Sequence, residues 1–167
     1  ARSARCVLNS EPGRPSGNIV TGRKGGVFMA FEVTGKAAHS GGNFEKGISA
    51  SGEIAHKIVA LHALTGLRPG ITVNVGLVKG GQSVNTTAPH AEGQIDLRYV
   101  KREDRAVALA AIEEIIAKTY VPGTSARLEI RGEFLPLDAG EAAADLFATY
   151  QAAAAQAGLE IEGEFTG

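Results

Sequence analysis

With 167 residues and 44% apolar side chains, the chain can bury one substantial core with accessory segments, but not two full domains. Its 17 basic and 18 acidic residues leave a formal charge of -1, so it lacks the broad cationic field that nucleic-acid and anionic-membrane binders use; neither partner is expected. No uncharged apolar run approaches the roughly 18 residues of a membrane-spanning helix, and the single cysteine, Cys6, cannot close an internal disulfide, which fits a reducing cytoplasm.

In chain order, Cys6 to Leu8 is a short apolar run, followed by Asn9-Ser10-Glu11-Pro12-Gly13 and a loop rich in glycine and proline. From Gly26 to Gly35, Val27, Met29, Phe31 and Val33 recur at every second position, which predicts a strand with that face buried. Ile54, Ile58 and Leu61 recur at helical spacing between Ile48 and Leu64, beside Val59, and Gly66 with Pro69 ends the run. On this helix His56 is expected in solvent and His62 in packing.

Ile71, Val73, Val75 and Leu77 alternate in a second strand that stops at Gly80-Gly81. Ala91 to Tyr99 forms a third, with Ile95, Leu97 and Tyr99 on one face and Gln94, Asp96 and Arg98 on the other. Glu103 to Tyr120 is a second helix, opened by Glu103 and Asp104 at its positive end, with Leu109, Ile112 and Ile116 along one side. Ala126, Leu128 and Ile130 then mark a fourth strand, completing β-α-β-β-α-β between Gly26 and Gly132. That order predicts an α+β fold, a ferredoxin-like two-layer sandwich of a four-stranded antiparallel sheet and two helices.

Beyond it, the alanine-rich Ala142 to Ala157 favours helix, and Leu159 to Phe165 begins a strand. Neither flank can form a second core alone. Both ends fall within sequence that reads as structured, so the chain is expected to be a piece of a longer one.

Chemistry is not concentrated in any complete motif. The four histidines, His39, His56, His62 and His90, form no i, i+4 pair for a metal, and no nucleophile elbow, phosphate-binding loop or paired-cysteine motif is present. What remains are polar residues at strand ends. His39 sits in the glycine-bounded loop after the first strand, as either a functional or a solvated histidine. Asn85 lies in the turn from Gly80 to Pro89, as either a ligand or a turn former. Arg98 is on the polar sheet face beside Asp96, where a surface ion pair is the alternative. Glu11 before Pro12 is a strand-end carboxylate or a solvated charge.

Taken in order, Ser10-Glu11-Pro12, Thr34-Gly35-Lys36-Ala37-Ala38-His39-Ser40-Gly41, Glu45-Lys46-Gly47, Gly80-Gly81 to Asn85 to Pro89, and Asp96-Leu97-Arg98-Tyr99 resemble the zinc metallopeptidases. That family includes glutamate carboxypeptidase, acetylornithine deacetylase, succinyl-diaminopimelate desuccinylase and the aminoacylases. The resemblance implies a catalytic-domain piece at 1–24, a lid or dimerisation domain at 25–134 and a second piece of an α/β catalytic domain at 135–167.

It further implies that Glu11 is a ligand to one of two zinc ions. His39, Asn85 and Arg98 would all act in a neighbouring subunit's site, His39 by stabilising the oxyanion and Asn85 and Arg98 by binding a peptide or N-acyl amino acid, Arg98 through a free carboxylate. The remaining zinc ligands and the general base of the family are absent from this sequence. The resemblance therefore implies that the chain alone neither holds the zinc pair nor hydrolyses substrate. It also implies a homodimer, and the second strand is expected at a sheet edge, with the first helix alongside.

The competing expectation is a non-catalytic ferredoxin-like module that binds or senses a small molecule. The hydrolase expectation wants His39, Asn85 and Arg98 together at one rim of the sheet with Glu11 on a separate strand; the module does not need that, and scattered positions would favour it.

Overall fold

The computed structural model describes Val7, residues 14–137 and residues 140–167. Glu11 and the rest of the apolar run around Val7 lie outside the described residues. Contacts divide the chain into a unit from Gly25 to Leu135 and a second unit made of the segments Ala1–Lys24 and Pro136–Gly167.

The central unit is the ferredoxin-like α+β sandwich. Its elements are β2 (Gly25–Thr34), α1 (Ala50–His62), β3 (Thr72–Gly80), β4 (His90–Tyr99), α2 (Asp104–Ala117) and β5 (Ser125–Phe134); β1 (Ile19–Arg23) belongs to the other unit. The sheet is antiparallel in the order β3-β4-β2-β5. Both helices pack on one face, α1 against β3, β4 and β2, and α2 against β5 and β4.

Alternation on β2 sends Val27, Met29, Phe31 and Val33 into the core, where they meet Ile95, Leu97 and Tyr99 of β4 and Ile54, Leu61, Leu109, Ile112 and Ile116 of the helices. Each large apolar side chain buried there contributes about 1.5–3 kcal/mol. Ser49 starts α1 by accepting a hydrogen bond from the Gly52 amide at 3.0 Å.

Two bulges depart from simple alternation. In β3, Val75 pairs with Ile95 and Leu77 with Gln94, so Gly76 is extra. The side-chain phase inverts there, and Leu77, expected in the core, is exposed. In β5, Ile130 pairs with Met29 and Gly132 with Phe28, leaving Arg131 as the extra residue and turning Phe134 onto the face opposite the helices. β5 therefore continues two residues past the predicted end.

The helices are joined by a buried ion pair. Lys57 Nζ lies 2.9 Å from Glu53 Oε1 and donates to the carbonyls of Ile115, Ile116 and Lys118 at 3.1, 2.9 and 2.6 Å. It thereby occupies the acceptors at the end of α2, where a cation is favoured. Glu53 Oε2 accepts from the amides of Tyr120 and Val121 at 2.9 and 2.6 Å. His56 is exposed and stacks on Tyr120. His62, expected in packing, is also exposed, and Nε2 accepts from the Val75 amide.

The second unit contains β1 (Ile19–Arg23), α3 (Glu141–Gln156) and β6 (Gly163–Thr166). β1 and β6 pair in parallel. β1 falls in sequence expected as loop, because Gly13 to Gly17 masks the short run Ile19-Val20. No described helix is long and apolar enough to cross a membrane.

Candidate functional site

His39 is held by two segments that run beyond the sheet. After β2, Lys36 bridges Ile48 and His39 bridges Thr86, while the amides of Ser40 and Thr87 donate to the carbonyls of Asn85 and Ala38, each at 2.9 Å. His39 and Asn85 are thus brought together on neighbouring segments. The Lys36–Ile48 bridge requires Gly35: a Cβ there would lie 2.2 Å from the Ile48 carbonyl oxygen.

The His39 ring is oriented from behind. Nδ1 accepts hydrogen bonds from the amides of Gly41 and Gly42 at 3.2 and 3.1 Å. A nitrogen that accepts cannot carry the proton, so the neutral ring is protonated on Nε2 and presents that N–H as a donor. The side chain is exposed. Asn85 Oδ1 accepts from Ser83 Oγ at 3.0 Å.

Arg98 stands at the other end of the sheet, paired with Gly26 where β2 begins. Its guanidinium carbon is 5.2 Å from the ring centres of both Phe28 and Phe134, and Nε donates to Asp96 Oδ1 at 2.7 Å. Gly26 makes room for this stack, since a Cβ there would come within 2.8 Å of the Phe134 ring and 3.3 Å of Arg98 Nη1. With Nε occupied by Asp96, the two Nη groups form an end-on fork suited to a carboxylate. The side chain retains 25% exposure, enough for a ligand to reach it.

Eight residue steps of β4 separate His90, at the His39 end, from Arg98, roughly 25 Å. The three residues are therefore not at one rim, contrary to what the hydrolase expectation required of a single copy: His39 and Asn85 are neighbours and Arg98 is remote. Among the described residues no group of three or more His, Cys, Asp or Glu side chains is placed to hold a metal.

Phe28 and Phe134 were missed by sequence reasoning. Phe28 had left a signal, a large apolar residue in the polar phase of an alternating strand; Phe134 had none, because its orientation depends on the bulge at Arg131.

A family model described as peptidase dimerisation domain matches residues 21–124. The chain is 25% identical over 142 residues to carboxypeptidase G2 of Pseudomonas sp. (strain RS-16), a match that takes in 84% of this chain and 34% of that protein. It spans, then, about a third of the relative. Among solved structures, it resembles an amidase of the hydantoinase/carbamoylase family from Burkholderia vietnamiensis, with a TM-score of 0.73, 20% identity, and coverage of 90% of this chain and 37% of the other. The aminopeptidase PepT from Bacillus cereus ATCC 10987 gives a TM-score of 0.71 at 20% identity, covering 93% and 42%. These structural likenesses establish the fold.

Proposed function

Because the chain belongs to the peptidase dimerisation domain family, we propose that it is the lid and dimerisation part of a two-zinc hydrolase that cleaves the amide bond of a peptide or N-acyl amino acid. The observation that carries this is the His39 ring. Its Nδ1 is committed to two glycine amides, leaving Nε2–H as an outward donor of the kind that stabilises the oxyanion of a tetrahedral intermediate. Asn85, on the adjoining segment, orients the substrate beside it. Arg98 holds a free substrate carboxylate end-on.

A dipeptide spans less than about 8 Å, so it cannot touch His39 and Arg98 of one copy. Their separation favours a site completed by two subunits, with His39 and Asn85 from one and Arg98 from the other. No group of three or more His, Cys, Asp or Glu side chains among the described residues is placed for a metal, and Glu11, the ligand implied by the resemblance, lies outside them. The chemistry assigned to this chain is accordingly that of its own donors.

The test is His39→Ala in the full-length hydrolase, assayed on a panel of dipeptides and N-acyl amino acids. A kcat lowered by about 10²–10³ with little change in KM fits a donor to the oxyanion. Unchanged kcat would remove His39 from the reaction.

A further inference from the structure

The two segments that hold His39 each carry one exposed apolar side chain, and neither serves the fold. Val84 stands at the tip of a turn over residues 83–86, which the Thr86 amide closes onto the Ser83 carbonyl at 3.3 Å. Polar groups fix that turn: Ser83 Oγ donates to Asn85 Oδ1, and the Ser83 and Thr86 hydroxyls lie 2.8 Å apart. A central turn position favours proline or a small polar residue over a β-branched one. Val84 is fully exposed, so folding gains no burial from it either.

Phe44 opens a single 3-10 turn, Phe44–Lys46, on the other segment. Gly47 seats that turn against the strand-like stretch after Val84, since a Cβ there would lie 2.5 Å from Thr87 Oγ1. Although its turn is fastened in this way, Phe44 is 67% exposed. His39 bridges Thr86 and the Ser40 amide reaches the Asn85 carbonyl, so Gly41 falls opposite Val84 in the same register. A Cβ on Gly41 or Gly42 would meet only the His39 ring among the described residues. The space beside the ring is thus open, with Val84 on one bordering segment and Phe44 on the other.

The chemistry assigned to His39 and Arg98 decides which part of a substrate lies there. Arg98 takes the free carboxylate, which belongs to the leaving amino acid, and it stands far along the sheet from the His39 loop. The carbonyl that accepts from Nε2–H carries the acyl half on its other side, and that half is left to the loop segments. Two residue steps from Thr86 to Val84 span at most about 7 Å, comparable with a leucine- or phenylalanine-sized group beyond the carbonyl.

We propose that Val84 and Phe44 are specificity-determining residues that receive the acyl half of the substrate, so that the hydrolase prefers peptides or N-acyl amino acids whose acyl group carries an aliphatic or aromatic chain. This rests on the reading of His39 and Arg98 above. Such a chain buries the Val84 methyls, whereas a succinyl group brings an unpaired carboxylate against them.

The test uses the full-length hydrolase and N-acyl substrates that share one leaving amino acid, with formyl, butanoyl, hexanoyl, phenylacetyl and succinyl groups. In the wild type, kcat/KM should rise with apolar acyl length and be lowest for succinyl. Val84→Ser should lower the hexanoyl-to-formyl ratio of kcat/KM about five- to tenfold, and Phe44→Ser should lower the phenylacetyl-to-formyl ratio similarly. Val84→Lys should raise succinyl relative to hexanoyl. Circular dichroism of Val84→Ser should match the wild type, because the side chain makes no packing contact. His39→Ala, by contrast, should lower kcat by the same factor for every acyl group. If that uniform loss is missing while Val84→Ser still shifts the acyl ratios, the oxyanion reading falls and the acyl site stands. Acyl ratios unchanged in both serine variants, or a shift in preference among leaving amino acids instead, would overturn the acyl site.

Discussion

Arg98 depends on what flanks it. A free guanidinium on a sheet surface samples many rotamers, whereas this one is stacked between Phe28 and Phe134 and anchored to Asp96, so less entropy is lost when a carboxylate binds. If Arg98 holds the substrate carboxylate as proposed, two consequences are measurable in the full-length hydrolase. Arg98→Lys replaces a planar fork by a point charge, and KM for substrates with a free carboxylate should rise about 10- to 100-fold with kcat little changed. Phe134→Ala keeps the charge and removes one wall of the stack, for a KM increase of about three- to fivefold. Equal KM values for wild type and Phe134→Ala would show that the stack does not position Arg98. Arg98 and Asp96 were legible as a pair on the polar face because period-two alternation puts both there. The aromatic walls were not, since one of them is oriented by a bulge that no local residue pattern announces.

At the scale of elements, the alternation of β2 and β4 and the helical stripes of α1 and α2 were readable because each buries one face. The Glu53–Lys57 pair was not. At spacing i, i+4 it looks like a solvated helix pair, and its burial follows from the end of α2, whose carbonyls leave no trace in sequence. Removing Lys57 strands both the Glu53 charge and three carbonyls, so Lys57→Met is expected to cost about 3–5 kcal/mol in urea unfolding. Replacing both residues by apolar ones should not restore stability, because the amides of Tyr120 and Val121 would lose Glu53 as well. Burial pushes the Glu53 carboxyl up, but hydrogen bonds from Lys57 and the Val121 and Tyr120 amides outweigh it and hold the group below its ordinary range. A carboxyl with a lowered folded pKa stabilises fully above the unfolded value and loses that contribution as pH falls through the folded one. Stability should therefore fall as pH drops below about 4, and Glu53→Gln should flatten that part of the profile. An unchanged slope in the variant would count against the pair as its source.

For the whole molecule, the Gly25–Leu135 unit carries a continuous core, while the described residues of the flanks form none. Of the flanks' alanine, valine, isoleucine, leucine, phenylalanine and tyrosine side chains, Ala154 alone is buried among the described residues, and Leu137, Tyr150, Leu159 and Phe165 are exposed. A dimer that shares its sites between copies makes a sharper demand than stability does. If His39 acts in the neighbouring subunit's site and Arg98 in its own, then His39→Ala and Arg98→Ala homodimers are each impaired at both sites. In a mixed dimer, one site draws Arg98 from the His39→Ala subunit and His39 from the Arg98→Ala subunit, and is intact; the other carries both lesions. Random reassortment of equal amounts should recover roughly a quarter of wild-type activity. If both residues reached across to the same neighbouring site, every mixed dimer would retain one lesion at each site and mixing would recover nothing. The recovered fraction, measured after co-refolding the two full-length variants, thus decides whether the two ends of one sheet serve two different active sites.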